Sequence, residues 1–304
     1  MTTTSPVCCD LHTHTHFSDG SFAPEALYAL AAAKGLGAIA LTDHNTVDGL
    51  PSFLQAARTY TATHASAPIP VPGVELSTEY TTIKGRTVEL HILALFLAEE
   101  DFAAVRSFTE DYTRDKAIAI RRMLDALRAD GYQLDDSEWL SLSANGNLNR
   151  AHVAAALQRH GYVSDIKDTI FRMLAAGGRY YTPPRRPSAV DALDFIDSLG
   201  AVSVLAHPYL SMTPDEVEAF LPEALTHGLC AMETRYDTYD EATTALAIAT
   251  AARFGLRESG GSDFHGDLKP GVALGSGRHG LQVPMAIYEG LAEASQAMRR
   301  RQSS

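Results

Sequence analysis

Short apolar runs return along this chain, and nearly all of them pass straight into a histidine or a carboxylate. VCCDL (7–11), GAIAL (37–41), IPVPGVEL (69–76), VELHILALF (88–96), AVSVLAH (201–207), GLCAME (228–233) and LRESGGSD (256–263) are short enough to predict strands. Helix-period segments fall between many of them. PEALYALAAAKG (24–35) opens with proline in its first turn and stops at Gly35, and AVDALDFIDSLG (189–200) and EATTALAIATAARFG (241–255) also end on glycine. Strands alternating with helices predict an α/β fold with a mostly parallel sheet, open or closed into a barrel.

In parallel α/β folds ligands bind at the carboxyl ends of strands. Here those ends carry Asp10, His12, His14 and Asp19; Asp43 and His44; Glu75; His207; and Asp263 with His265, while the fourth strand carries His91. Scattered histidines have no reason to respect that rule, so their placement points to a metal site. Six histidines and three acids (Asp19, Glu75, Asp263) make nine nitrogen or oxygen donors. A tetrahedral zinc takes four, so two or three ions sharing carboxylates are expected. With no cysteine in the set, a structural zinc knot is excluded, and imidazole with carboxylate suits zinc, iron or manganese. Sites with several metals commonly hydrolyse phosphoryl or acyl groups.

The stretch DLHTHTHFSDG (10–20) repeats histidine at every second position. Alternate residues of a strand share a face about 6.6 Å apart, near enough for His12 and His14 to lean onto one ion; His16 would lie about 13 Å from His12 and stands as a neighbour. The bland alternatives are a polar strand end for His12 and His14, a core histidine for His91, and a Ser-Asp-Gly turn residue for Asp19. Glu233 also ends a strand but reads as structural. His64, His160, His227 and His279 receive no role.

From about 101 to 176 the rhythm breaks into helices: 101–131, 150–161 and 164–178, the last opening on Ser164 as an N-cap, before the proline-rich return YYTPPRRPS (180–188). This predicts an all-helical insertion at 101–184, a substrate cap, within a domain formed by 1–100 and 185–304. The charges of RDKAIAIRRMLDALR (114–128) read as a solvated helix face. The net charge of −12 over 304 residues argues against a long nucleic acid as partner. No window reaches the roughly 20 apolar residues of a membrane span, and the N-terminal segment lacks the pattern of a signal peptide. Three cysteines without a framework (Cys8, Cys9, Cys230) suggest a reducing, cytoplasmic setting. RRRQSS at the end reads as a solvated tail.

The blocks DLHTHTHFSDG, LTDHNTVDGL, GVELS, the histidine of ELHILALF, LAHP and GSDFHG, in this order, resemble the polymerase-and-histidinol-phosphatase (PHP) family of metal-dependent phosphoesterases. The resemblance implies a distorted (β/α)7 barrel with up to three metals at its mouth. It implies that His12, His14, Glu75 and Asp263 hold one metal, that Glu75 bridges to a second held with His91 and His207, and that Asp19, His44 and His265 hold a third. It also implies that Asp10 and Asp43 orient the imidazoles. NRAHVAAAL (149–157) looks like the Arg-x-His block of small phosphatases in this family. Among those are enzymes that remove the 3′-phosphate of nucleoside 3′,5′-bisphosphates. By that resemblance Arg150 and His152 hold substrate phosphate. Arg179, Arg185 and Arg186 would add charge, and Tyr180 or Tyr181 would stack on a base. Catalysis would fall to His207, His44 and Asp10. The leaving oxygen would be protonated by a nearby histidine, His207 or His44, or by metal-bound water, and the sequence does not choose. Other readings stay open: trimming of short RNA, histidinol-phosphate hydrolysis, or a non-catalytic metal-binding module.

Overall fold

The protein, a computed structural model, is described for residues 8–64, 66–135 and 148–302; Val7, Ser303 and Ser304, at the ends of expected segments, lie outside these. In chain order the elements are β1 (Cys9–Asp10), α1 (Pro24–Ala33), β2 (Ala38–Leu41), α2 (Leu50–Thr61), β3 (Ile69–Thr81), β4 (Thr87–Leu95), α3 (Phe102–Ala129) and α4 (Arg150–Arg159). There follow α5 (Ala189–Ser198), β5 (Val202–Ala206), α6 (Pro214–Thr226), β6 (Ala231–Tyr236), α7 (Glu241–Phe254), β7 (Arg257–Gly261) and α8 (Met285–Gln302). All seven expected strands form.

The strands lie side by side in sequence order as one mixed sheet, nearly closed into a barrel and surrounded by helices. β1 and β7 bring the ends together: Leu11 N–H donates to Gly260 O at 3.2 Å and Asp263 N–H to His12 O at 2.9 Å. Glycine permits the approach, because a Cβ on Gly261 would stand 2.5 Å from the His12 Cβ.

One strand runs against the rest. β4 follows β3 through a turn closed by Thr82 N–H to Arg86 O at 2.9 Å, so it returns antiparallel, in register from Gly73–Leu95 to Thr81–Thr87. It is antiparallel to β5 as well, while the remaining pairs are parallel. This reversal distorts the barrel. It also explains why His91 sits mid-strand: it pairs with Ser77 and Ala206, near the carboxyl ends of β3 and β5.

Period-two alternation separates two cores. Ile39, Leu41, Val74, Leu76, Ile92, Leu205 and Met232 face outward and pack on helix residues such as Leu27, Phe53, Leu193 and Phe220. Each such fully buried side chain contributes about 1.5–3 kcal/mol. Ala38, Ala40, Val71, Leu93, Leu95, Val202, Val204 and Ala231 fill a second cluster closed by Leu291 and Ala294 of α8. Two or four residues further along that inward face stand Glu75, His91 and Glu233. The barrel interior is therefore apolar at one end and ligand-bearing at the other.

A third cluster lies apart, built by Ile120, Met123, Leu124 and Leu127 of α3 with Val153, Ala154, Ala156 and Leu157 of α4 and with Leu174 and Tyr181. α3 joins it to the barrel: Phe102 and Val105 belong to the outer core, and Phe108 stacks on Phe195 at 4.2 Å. The helix expected over 164–178 is broken. Asp165, not Ser164, caps it, and after Ile166–Asp168 the chain widens into a π-turn, Thr169–Met173. Buried Leu174 then turns into the third cluster, and Gly177 at φ 74° ends the segment. At the C-terminus Arg299 is not a solvated tail residue; its Nη2 meets Phe96 O at 2.8 Å and Asp101 Oδ2 at 3.0 Å. Among the described residues no helix is long and apolar enough to cross a membrane.

Candidate metal centre

Glu75 is the hub. Its Oε2 lies 3.0 Å from His12 Nε2, 3.1 Å from His14 Nε2 and 3.1 Å from His44 Nδ1. Its Oε1 lies 2.7 Å from His91 Nδ1 and 3.2 Å from His207 Nε2. Two further acids extend the cluster. Asp263 Oδ1 stands 3.1 Å from His14 Nε2 and 3.4 Å from His265 Nδ1. Asp19 Oδ1 stands 3.2 Å from His265 Nε2 and 3.7 Å from His44 Nε2. All nine expected donor residues thus meet at the mouth. His12 and His14 share Glu75, as their spacing suggested, while His16 turns aside onto Phe17.

Local backbone features aim these side chains. After His14 the chain doubles back, with Gly20 N–H donating to Thr15 O at 2.9 Å, and this returns Asp19 to the cluster. Gly20 is required there, since a Cβ would fall 2.4 Å from His14 O. Asp19 is therefore both a turn residue and a site residue. Ala206 faces inward, so a regular strand would turn His207 out; instead His207 sits at φ 28° and its ring reaches Glu75. Asp263, at φ 53°, is also left-handed. Such conformations cost about 1–3 kcal/mol each and persist where the surroundings enforce them.

The donor atoms fit a cation rather than one another. His14 Nε2, His44 Nδ1, His91 Nδ1 and Asp19 Oδ1 are buried and form no hydrogen bond, although oppositely charged atoms stand close by. They are near but misaligned, as lone pairs converging on a common point are. A nitrogen and an oxygen ligand of one tetrahedral zinc stand about 3.3 Å apart, close to the 3.0–3.4 Å between most imidazole nitrogens and carboxylate oxygens here. The donors fall into overlapping sets, including His12–His14–Glu75–Asp263, His14–Asp19–His44–His265 and His44–Glu75–His91. Burial works against charge on the rings, yet neighbouring carboxylates outweigh it: His14 is raised to about 9, His91 to about 10, and His12 well above its usual value. His44 is the exception, pushed by burial to about 3. Burial likewise opposes charge on Asp19, Glu75 and Asp263, but the imidazoles hold the first two well below the usual range, and Lys269 together with His265 and His12 does the same for Asp263. Protons thus balance the acids, in the place a divalent ion would take.

Behind the donors stand residues that fix them. Glu233, read from sequence as structural, is fully buried, takes His12 Nδ1 at 2.9 Å and accepts the His207 N–H at 2.7 Å. Its place at the end of the apolar run GLCAME (228–233), level with the other acids, was the available signal; in the structure β6 continues past it to Tyr236. Lys269 Nζ at 2.5 Å and Tyr236 OH at 2.7 Å occupy Asp263 Oδ2, leaving Oδ1 for the cluster. Asp43 takes Thr15 and Ser18, and Ser18 Oγ lies 3.4 Å from His14 Nδ1, so its influence is relayed. Asp10 corrects the expectation most. Its carboxylate accepts from Ser262 N–H and Oγ and from Gly275 N–H, and it meets His12 through the backbone, not the ring. It ties β1 to the chain after β7.

Over the mouth lies a cavity of about 150 Å³. Asp19, His44 and His91 border it from below, and Lys116, Arg150 and Arg186 from the helical side. Arg150 bonds Leu174 O at 3.3 Å and lies 5.1 Å from the Tyr181 ring centre. His152 is wholly buried at the start of α4. Its Nδ1 accepts from Asn149 N–H at 3.1 Å, its Nε2 has no partner among the described residues, and burial lowers it to about 4. Arg186 pairs with Glu89 at 2.7 Å, and Glu89 meets His91 at 3.3 Å. Arg179 and Tyr180 instead bind Asp130 near the surface, and Arg185 is exposed. Lys116, expected on a solvated face, is only 8% exposed.

Residues 10–181 match the family described as the PHP domain. The 5′–3′ exoribonuclease Rnm of Salmonella typhimurium is 31% identical over 263 residues, covering 85% of this chain and 85% of that protein. The 3′,5′-nucleoside bisphosphate phosphatase of Chromobacterium violaceum is 28% identical over 269 residues, covering 88% and 90%. The solved structure of an amidohydrolase from Chromobacterium violaceum, with bound sulfate and no metal, superposes with a TM-score of 0.81 at 26% identity, covering 95% of this chain and 97% of that one.

Proposed function

Because this chain belongs to the PHP domain family and is a metal-dependent hydrolase, we propose that it removes the 3′-phosphate of a nucleoside 3′,5′-bisphosphate, leaving a 5′-nucleotide such as AMP. The observation that carries this reading is the small cavity set between the donor cluster and a cationic roof. A space of this size suits the phosphorylated end of a small molecule. The likeness to the Chromobacterium violaceum bisphosphate phosphatase supports the same substrate class.

In this reading His12, His14, Glu75 and Asp263 hold one ion, Glu75, His91 and His207 a second, and Asp19, His44 and His265 a third, as two to three manganese, iron or zinc ions. When bound, such ions supply the nucleophile and neutralise charge on the phosphoryl oxygens. The chain's own residues do the rest. Residues 101–184 act as the substrate cap. Arg150 offers a planar fork to phosphate. His152, held neutral, presents an unused Nε2–H. Glu233, Lys269 and Tyr236 keep His12 and Asp263 in place. His44 and His207 point nitrogens at Glu75 and are catalytic through the ions they hold, so the leaving oxygen takes its proton from water in the cavity. Asp10 contributes by fixing the backbone that carries Asp263. Cys8, Cys9 and Cys230 form no disulfide, which accords with a cytoplasmic setting.

A second reading, trimming of short RNA, is favoured by a groove of about 720 Å³ that begins at Asn45, beside His44, and runs along α3, where Arg106 is paired with Asp48 and Arg114 with Asp111 and Asp115. Likeness to the Salmonella exoribonuclease supports it too. The test is phosphate or nucleotide release by manganese-loaded protein from adenosine 3′,5′-bisphosphate, a short 5′-phosphorylated RNA and histidinol phosphate, with His12→Ala as control. Release from the bisphosphate, lost in the control, is expected. Faster release from RNA would replace the first reading with the second, and release from histidinol phosphate alone would refute both.

A further inference from the structure

Lys116 has no partner of its own. It projects from the middle of α3, is 8% exposed, and forms no hydrogen bond or ion pair among the described residues. A buried ammonium without a partner is costly, and an apolar side chain would fill the same space more cheaply. The charged groups around it are Asp19 below, Glu89 and Arg186 to one side, and Arg150 above. Glu89 and Arg186 already neutralise each other. Lys116 and Arg150 are the uncompensated cations facing the cavity, and the cavity, at about 150 Å³, takes a phosphoryl group rather than a nucleoside. Burial pushes the Lys116 ammonium down while Asp19 and Glu89 pull it up, so an arriving anion finds a cation poised to meet it.

Resting on the phosphoesterase reading above, we propose that Lys116 is a catalytic residue whose ammonium meets a non-bridging oxygen of the phosphoryl group under attack, from the side opposite the metal donors. As the oxygen of water bonds to phosphorus, the bond from phosphorus to the ester oxygen breaks, and that oxygen leaves with a proton. Lys116 keeps its three protons throughout. Its compact charge, fixed in place before the reaction, stabilises the charge that gathers on the equatorial oxygens.

The test compares wild type, Lys116→Met and Lys116→Arg, all manganese-loaded. Inorganic phosphate binding is measured by calorimetry, and turnover on adenosine 3′,5′-bisphosphate and on 4-nitrophenyl phosphate, which has no second phosphate. Lys116→Met should weaken phosphate binding at least tenfold and lower kcat about 100-fold on both substrates, with metal content and melting temperature kept; Lys116→Arg should regain part of both. If Lys116→Met does not fold, Lys116→Gln against Lys116→Arg makes the same comparison. Unchanged phosphate binding would overturn the assignment. So would a loss confined to KM on the bisphosphate, which would place Lys116 on the second phosphate. A wild type that turns over neither substrate yet binds phosphate through Lys116 would sink the phosphoesterase reading and leave the lysine as an anion ligand.

Discussion

The floor and the roof of the cavity are built on different terms. On the floor each donor side chain comes from a strand or the turn beyond it, and most are held a second time: His12 between Glu75 and Glu233, Asp263 between the cluster and Lys269 with Tyr236. On the roof, Arg150, Lys116 and Arg186 come from helices and a proline-rich return with a separate small core. Their fixings are a carbonyl and the Tyr181 ring for Arg150, none for Lys116, and Glu89 with the Tyr112 ring for Arg186. The floor is over-determined because converging lone pairs tolerate little displacement. The roof has only to present charge to a mobile anion. Chemistry should therefore fail outright when the floor is touched, while on the roof Arg150 should govern recognition and Lys116 alone should reach the chemistry.

The sharpest test is Glu75→Gln. It should lose bound metal and lower turnover at least about 1000-fold, checked by metal analysis beside phosphate release. Metal retained at wild-type stoichiometry would show that Glu75 is not the hub. On the roof, Arg150→Ala should raise KM for the bisphosphate roughly 10- to 150-fold, the worth of a hydrogen bond to a charged group, with metal content unchanged. Metal loss there would erase the distinction between the regions. Glu233→Gln lies between the two: it should weaken metal affinity about 10- to 100-fold and leave KM alone, as read by competition with a chelator.

The mildest effect is on stability. Raised folded-state values for His14 and His91, about 9 and 10, mean that their contribution is whole below the unfolded value near 6.5 and is lost as pH rises through 9 to 10. Metal-free protein should then melt at falling temperature between about pH 7 and 10, while metal-loaded protein should not follow that fall. Parallel curves would show that ions and protons do not compete for the same nitrogens.

The same contrast decided what the sequence could reveal. Strand ends are marked by apolar runs and turns, so His12, Asp19, Glu75 and Asp263 could be placed before any fold was known. Glu233 stood in plain view at the end of the run GLCAME (228–233), but a second oxygen used to orient a ring looks, in sequence, like any buried glutamate. Lys116 was hidden more deeply. On an amphipathic helix the pattern separates apolar from polar faces, and α3 changes its surroundings twice along its length, so a lysine facing a cavity reads as one facing solvent. The π-turn after Asp168 left no local mark, because it is settled by what the chain packs against, whereas the reversal of β4 lies in the short turn between Thr82 and Arg86, where Gly85 sits at φ 74°.

α3 runs for 28 residues without a glycine or proline, about 42 Å of continuous helix. One end is clamped near the barrel's base, where Asp101 meets Arg299 of the last helix; the other carries the small upper core. Such an element behaves as a strut, with no internal hinge at which the upper part could swing by itself. The C-terminal helix, at the far pole from the chemistry, thereby braces the element that carries Lys116 to the mouth.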